Sequence, residues 1–228
     1  MENESVPIQD QYADINEAME RAARRAGRER ALIRLIAVSK QQPDNRVRAL
    51  LELGHKTFGE NRVQEAHLRW EERFSSYRHA IELRLIGPLQ TNKVDMAVRL
   101  FGVIETLDRE KLARALVKAR DKRGTGLPRL FVQVNTGEEG QKAGIAPQAL
   151  SGFLKTLRDT YDLHPEGLMC IPPKGEAASP HFWLLSNLAS DNGLENLSMG
   201  MSGDYETAIE MGASHIRLGS ALFGARPA

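Results

Sequence analysis

The feature that most constrains the fold is a repeated alternation of short apolar runs with longer amphipathic stretches. The apolar runs are rich in β-branched residues and leucine, and they have the length of buried strands. They predict strands at 32–39, 56–59, 82–86, 103–107, 129–135, 167–171, 197–199 and 215–218. The amphipathic stretches predict a leading helix at 8–26 and then helices at 43–53, 62–74, 92–99, 109–122, 147–159, 180–191 and 204–211.

Strands that alternate with helices in this way are typical of parallel βαβ units. The chain has 228 residues, a normal length for one closed (β/α)8 barrel. An open doubly wound sheet has fewer strands and a glycine-rich first turn, but the first strand here is followed by Ser39-Lys40-Gln41-Gln42-Pro43, which has no glycine. The sequence therefore predicts an α/β protein: a single TIM barrel over residues 1–228 with an extra N-terminal helix.

The charge of the chain is nearly balanced, with a formal net charge of +1. This balance gives no electrostatic case for binding a nucleic acid or a membrane surface. One basic cluster ends the leading helix: Arg21, Arg24, Arg25, Arg28 and Arg30. Because basic residues at a helix end complement the helix dipole, we favour a solvated helix end over an RNA-binding patch.

The cellular compartment is indicated by what the sequence lacks. No apolar run has the length of a membrane span, and the acidic N-terminus resembles neither a secretion signal nor a transit peptide. Cys170 is the only cysteine, so no intrachain disulfide can form, and we expect it to be a buried small residue. The six histidines show no metal-ligand spacing. These observations favour a cytoplasmic protein without a metal site.

Lys40 is the first candidate for chemistry, because it ends the first predicted strand. Burial disfavours the ammonium form of a lysine, and only the neutral amine attacks an aldehyde to form a Schiff base. Two glycine-containing turns, 198–202 and Gly219-Ser220, follow the last two strands, where barrels often bind phosphate. Both glycines could instead only make tight turns. An aldehyde and a phosphate on one ligand suggest pyridoxal 5′-phosphate (PLP).

Three further polar residues are candidates with open alternatives. Arg217 faces something anionic or polar, either a core carboxylate or the pyridine nitrogen of PLP. Asn61 either binds a ligand hydroxyl or caps the following helix. Lys142 is either a second amine near the barrel mouth, which receives PLP in transit, or a solvated surface lysine.

Motifs distributed over residues 35–226 resemble those of the pyridoxal phosphate homeostasis protein family, single-domain relatives of the N-terminal barrel of alanine racemase. They are Ala37-Val38-Ser39-Lys40, Phe58-Gly59-Glu60-Asn61-Arg62, the segments 86–93 and 167–172, Leu197-Ser198-Met199-Gly200-Met201-Ser202 and the segment 217–224. One pair departs from the family pattern: Leu83-Arg84 stands where an aromatic residue and a histidine are usual. Arg84 could pair with an acid or reach the phosphate.

The resemblance implies how PLP would be held. It implies a Schiff base on Lys40, and it places Arg217 near the pyridine nitrogen and Asn61 near the ring. It also places Ser202, Gly219 and Ser220 around the phosphate, with Met201 lining the site.

The function that the resemblance implies is a carrier or regulator of PLP and vitamin B6 balance, without catalysis. Expected partners are PLP itself and apo PLP-dependent enzymes as recipients, and we expect a monomer, because the barrel leaves no residues for the second domain of alanine racemase. The alternatives are a weak PLP-dependent amino-acid racemase and, less favoured, a PLP-independent Schiff-base lyase acting on a sugar phosphate. Tyr205 is the nearest candidate for the second base of a racemase.

Overall fold

Eight parallel strands close into a barrel in the computed structural model, which describes residues 7–224. The strands follow one another in chain order, and the last pairs with the first, which aligns Ile36 with Arg217. Their bounds are β1 (Arg34–Val38), β2 (Thr57–Glu60), β3 (Glu82–Leu85), β4 (Val103–Leu107), β5 (Arg129–Val134), β6 (Gly167–Cys170), β7 (Asn196–Ser198) and β8 (His215–Leu218). The predicted (β/α)8 barrel is confirmed.

Helices precede and connect the strands, and α1 is the predicted extra N-terminal helix. Their bounds are α1 (Ile8–Arg25), α2 (Asp44–Glu52), α3 (Val63–His67), α4 (Val94–Leu100), α5 (Glu110–Arg123), α6 (Leu150–Tyr161), α7 (Ala178–Asp191), α8 (Tyr205–Glu210) and α9 (Ser220–Phe223). The short α9 was not predicted from the sequence. The helix predicted over 62–74 is shorter than expected, because it changes at Leu68 into a π-helical turn that ends at Arg73. No helix of the described residues is long and apolar enough to cross a bilayer.

The main hydrophobic core lies between the outer faces of the strands and the surrounding helices. Apolar side chains such as Leu35, Phe58 and Leu85 are buried in the cluster that packs the strands against the helices. The barrel interior, in contrast, contains charged and polar side chains that are almost fully buried, including Arg84 and Glu105. Burial of charge is costly unless partners are in place, so these residues require a specific arrangement.

The basic cluster at the end of α1 attaches this helix to the barrel. Arg25 donates from Nε to Glu210 at 2.6 Å and from Nη2 to Glu206 at 2.9 Å. Arg28 donates to the backbone carbonyl oxygens of Ile209, near the end of α8, and of Ala213 in the following loop, at 2.7 and 2.9 Å. Basic groups near the last carbonyls of a helix are favourable. At least these two arginines therefore have a structural role.

The two ends of the chain lie outside the described residues. Residues 1–6 and 225–228 belong to the predicted domain, and Arg226 belongs to the segment that carries the family resemblance. The prediction of one domain over residues 1–228 therefore stays a prediction.

Candidate cofactor site

A cavity of about 280 Å³ lies at the carboxyl ends of the strands. Every residue predicted for the site lines it: Lys40, Asn61, Met201, Ser202, Arg217, Gly219 and Ser220. The sequence reasoning missed the other lining residues, which are Val38, Gln42, Ile86, Ile171 and Gly203. The arrangement follows the general rule that barrels bind ligands where their strands end.

Lys40 lies in a turn beyond β1 rather than in the strand itself. The strand ends at Val38, and Lys40 is half-buried instead of fully buried. The turn is closed by a hydrogen bond of 3.1 Å from the Gln42 amide to the Ser39 carbonyl, and Gln41 has a φ of 57°. This backbone carries the Lys40 amine out of the strand and into the cavity wall.

A buried arginine clamps that turn. The guanidinium of Arg69 donates to the carbonyl oxygens of Ser39 and Gln42, the second at 2.7 Å. Arg69 is only 7% exposed, and it belongs to the π-helical turn after α3. The sequence reasoning missed this residue, although an arginine next to Trp70 in an amphipathic segment was a signal of a buried cation.

Glu60 supplies the countercharge beside the same turn. Its carboxylate accepts from the Ser39 hydroxyl at 2.7 Å and from the Trp70 indole at 3.2 Å, and it lies 3.6 Å from Arg69. Burial raises the pKa of Glu60 above its usual range, and the Arg69 guanidinium and the two hydrogen bonds offset only part of this effect. The segment around Lys40 thus depends on the buried ion pair of Glu60 with Arg69 and on the hydrogen bonds that each of them makes with other groups.

Arg217 lies in the floor of the cavity at the end of β8. Its Nη1 donates to the Ser198 hydroxyl and its Nη2 to the Cys170 carbonyl, each at 2.7 Å. Burial lowers the pKa of Arg217, and the nearby Glu105 carboxylate acts in the opposite direction. The predicted polar partner is present, but the contact with a core carboxylate is indirect and runs through Ser198.

Two loops meet at the predicted phosphate turns. Gly200 has a φ of 91°, and a Cβ there would lie 2.5 Å from the Cβ of Ala208, so this position requires glycine. The backbone amide of Ala221 donates to the Ser202 hydroxyl oxygen at 3.2 Å. This hydrogen bond joins the loop after β7 to the start of α9, and it brings Ser202 and Gly219-Ser220 to the same cavity wall.

Asn61 does not cap the following helix. The cap position before Val63 is occupied by Arg62, and no side-chain hydrogen bond caps this helix. Asn61 instead lines the cavity. Gly87 packs against its backbone, because a Cβ on Gly87 would lie 2.3 Å from the Asn61 carbonyl oxygen. The loop after β3 therefore needs glycine to approach Asn61.

Arg84 pairs with acids inside the barrel. Its Nε donates to Glu105 at 2.6 Å and its Nη1 to Glu82 at 2.7 Å, and the residue is fully buried. The alternative that Arg84 reaches a phosphate is wrong, because Arg84 does not line the cavity. Glu105 was missed from the sequence, although a glutamate within the apolar β4 was a signal.

The remaining candidates lie outside the cavity lining. Lys142 forms an ion pair with Glu139 in the loop after β5. Tyr205 begins α8, and burial raises the pKa of its phenol. Cys170 is buried as predicted, and burial raises the pKa of its thiol to about 12.

The lining residues fit a small phosphorylated aldehyde with an aromatic ring. Lys40 offers an amine, the Ser202 loop offers a hydroxyl, and Arg217 offers a guanidinium in the floor. The side chains of Val38 and Ile86 supply apolar surface between these polar groups. Ligand sites of this kind combine a mostly apolar wall with a few placed polar groups.

The fold and the site define a barrel of the alanine racemase type, since residues 12–227 match the family described as alanine racemase, N-terminal domain. The pyridoxal phosphate homeostasis proteins of Pseudomonas aeruginosa and Vibrio cholerae are 39% identical over 226 residues and 36% identical over 232 residues. Each alignment covers 96% of this chain and 96% of the relative. This chain belongs to the family of pyridoxal phosphate homeostasis proteins, as its motifs indicate.

A solved structure supports the same assignment. The structure of PipY from Synechococcus elongatus PCC7942 with PLP bound has a TM-score of 0.76 to this chain at 33% sequence identity. The alignment covers 91% of this chain and all of that chain.

Proposed function

We propose that this protein holds pyridoxal 5′-phosphate as a Schiff base on Lys40 and serves the intracellular balance of PLP and vitamin B6, without a catalytic reaction of its own. The observation that carries the proposal is the presence of Lys40, Arg217 and the Ser202 loop in one cavity. The curated relatives are named for PLP homeostasis, and PipY has been solved with PLP.

Each predicted site residue has a place in this proposal. The Lys40 amine holds the aldehyde carbon, and Asn61 contacts the ring. The Ser202 hydroxyl and the backbone amides of Gly219 and Ser220 bind the phosphate, because such donors in glycine-containing turns favour an anion. Met201 lines the site beside them.

Arg217 restrains the reactivity of the cofactor. When bound, PLP supplies an electron sink whose strength depends on protonation of its ring nitrogen. A guanidinium that faces this nitrogen disfavours its protonation, because two positive charges would then lie together. Arg217 therefore favours storage of the cofactor over the carbanion chemistry of an enzyme.

The lining also supports a role without catalysis. Lys40 and Arg217 are the only residues with ionisable side chains among the described residues that line the cavity. Two-base proton transfer requires an acid or base on each face of a substrate, and arginine does not release its proton at neutral pH. Tyr205, the nearest candidate for a second base, is not among the lining residues. A weak amino-acid racemase is the second candidate, which the alanine racemase type of the barrel favours.

We also propose the wider setting of this function. The seven predicted cofactor-holding residues line one cavity, and we propose a monomer built from a single domain over residues 1–228. The buried thiol of Cys170 fits a reducing compartment, which supports a cytoplasmic location. Apo PLP-dependent enzymes are the recipients that a carrier of this kind would serve.

Two assays on the loaded protein distinguish the carrier from the racemase. The protein is incubated with L-alanine in deuterium oxide, and the α-deuterium content of the alanine is followed by mass spectrometry. In parallel, the loaded protein is mixed with an apo-aminotransferase, whose recovered activity reports transfer of PLP. A carrier restores the aminotransferase and exchanges no more α-hydrogen than free PLP does. Exchange that is well above this level and is lost in Lys40→Ala would establish the racemase instead.

A further inference from the structure

A line of hydrogen bonds leads from the cavity floor into the centre of the barrel. Arg217 Nη1 donates to Ser198 Oγ at 2.7 Å, and Ser198 Oγ donates to Glu105 Oε2 at 2.5 Å. The other carboxylate oxygen, Glu105 Oε1, accepts from Arg84 Nε at 2.6 Å. These four residues come from β8, β7, β4 and β3, so the line crosses the interior of the barrel.

The direction of each hydrogen bond in this line is fixed by chemistry. An arginine can only donate and an ionised carboxylate can only accept. The hydroxyl of Ser198 has a single proton, which it donates in the hydrogen bond to Glu105. The hydroxyl oxygen accepts a hydrogen bond from Arg217. Ser198 therefore transmits the orientation of the buried carboxylate to the guanidinium at the cavity floor.

The charges in this line depend on one another. Arg84, Ser198 and Glu105 are fully buried, and Arg217 is only 4% exposed. Buried charges are tolerated only where partners and hydrogen bonds compensate their desolvation. Glu105 is thus the shared countercharge of two arginines, directly for Arg84 and through Ser198 for Arg217. Arg84 binds the other oxygen of this carboxylate, Glu105 Oε1. Arg84 stands at the position where a histidine is usual in the family.

We propose that Ser198 and Glu105 are positioning residues for the cofactor, which aim the Arg217 guanidinium at the pyridine nitrogen. This inference rests on the proposed function and adds to it a group of residues that do not touch the ligand. The inference separates two contributions to PLP binding. One is the covalent attachment through Lys40, and the other is the recognition of the ring nitrogen by Arg217, which its hydrogen-bonded partners hold in place.

The test compares PLP with its 1-deaza analogue, in which carbon replaces the ring nitrogen. Ser198→Ala removes the linking hydroxyl and keeps every charge. Because a hydrogen bond to a charged group is at stake, we expect Ser198→Ala to weaken PLP binding about tenfold. The same variant should bind the deaza analogue as the wild type does. Affinities are measured by titration at equilibrium, and the melting temperature of each ligand-free variant is recorded.

Three companion variants make this result specific. Ser198→Thr keeps the hydroxyl and should restore PLP affinity, whereas Ser198→Cys, with its weak donor, should behave like Ser198→Ala. The matched control is Met169→Leu. Met169 is fully buried on β6, and it is the residue that pairs in register with Ser198 of the neighbouring strand β7. This variant tests the effect of repacking the barrel interior, and it should bind PLP and the deaza analogue with wild-type affinity.

Two results overturn the inference alone. One is unchanged PLP affinity in both Ser198→Ala and Ser198→Cys while the wild type binds PLP. The other is an equal loss of affinity for PLP and for the deaza analogue. A wild-type protein that does not bind PLP overturns the proposed function, and the inference with it.

Discussion

The Nη2 atom of Arg69 lies 2.7 Å from the carbonyl oxygen of Gln42, two residues beyond Lys40. Because Arg69 belongs to the π-helical turn after α3, the turn that carries the proposed cofactor lysine is attached to the outer layer of the barrel by a buried cation. The position of the Lys40 amine therefore depends on a residue that lies outside the cavity lining.

The first prediction concerns this clamp. Arg69→Met leaves the Glu60 carboxylate and two backbone carbonyls without their cation, so we expect the free energy of unfolding to fall by about 3 kcal/mol. Urea denaturation of the ligand-free protein measures this change. The control is Arg21→Met, whose exposed guanidinium pairs with Glu17 at 3.5 Å, and this exposed pair should contribute no more than about 1 kcal/mol. Equal losses in the two variants would refute the clamp.

The second prediction concerns the loop after β7. In Gly200→Ala the new Cβ would collide with Ala208 at a backbone φ of 91°, and strain of this kind costs about 2 kcal/mol of stability. Gly203→Ala in the same loop is the control, because a Cβ there meets no atom within 4 Å. Thermal melting of both variants tests the prediction, and a Gly200→Ala protein as stable as Gly203→Ala would contradict it.

The third prediction concerns the phosphate. Ser202→Ala removes a hydroxyl from the proposed phosphate site, so PLP should bind about tenfold more weakly. Pyridoxal, which lacks the phosphate, should bind wild type and variant equally. Equilibrium titration with both compounds provides the measurement. A loss of the same size for pyridoxal would show that Ser202 acts on the shape of the cavity rather than on the phosphate.

The fourth prediction concerns stability at acid pH. Burial lowers the pKa of His215 to about 3, with a further contribution from Arg84, and burial lowers that of His55 to about 4. A histidine in the unfolded chain has a pKa of about 6.5. As the pH decreases, the unfolded state therefore binds protons at these histidines before the folded state does, and the free energy of unfolding falls. Between pH ~6.5 and ~5 each histidine should cost about 2 kcal/mol.

The comparison with a histidine variant isolates this effect. His215→Asn should lose about 2 kcal/mol less than the wild type over the same pH interval, whatever its absolute stability. The raised pKa of Glu60 acts in the opposite direction, because protonation of that carboxyl relieves its burial. This contribution is common to both proteins and cancels in the difference. Parallel pH dependences of the two unfolding free energies would contradict the prediction.

The barrel could be predicted because its strands are local patterns. Apolar runs of the right length mark each strand, and the alternation with amphipathic segments specifies the topology. The ends of the elements were less accurate, as at Lys40, where the chain leaves β1 at Val38 to form a turn held by distant groups. Strand ends are set by such tertiary contacts rather than by composition.

The interior contacts could not be predicted for a related reason. Arg84, Glu105 and Ser198 lie far apart in the sequence, and their contacts depend on the register with which strands on different sides of the barrel are arranged. The sequence left open whether Arg84 pairs with an acid or reaches a phosphate, and only the placement of Glu105 decides this. Seven of the cavity residues were predictable because Lys40, Arg217 and the glycine turns follow strand ends and carry specific motifs.

The most direct test of the central claim is the site of covalent attachment. The protein is saturated with PLP, its visible absorbance is recorded, and the complex is reduced with borohydride, digested and mapped by mass spectrometry. We expect a yellow protein in which the reduced pyridoxyl group lies on Lys40, and Lys142→Ala should give the same map. A protein that stays colourless and unlabelled, or whose label lies on another lysine while Lys40→Ala is labelled as strongly, would contradict the account.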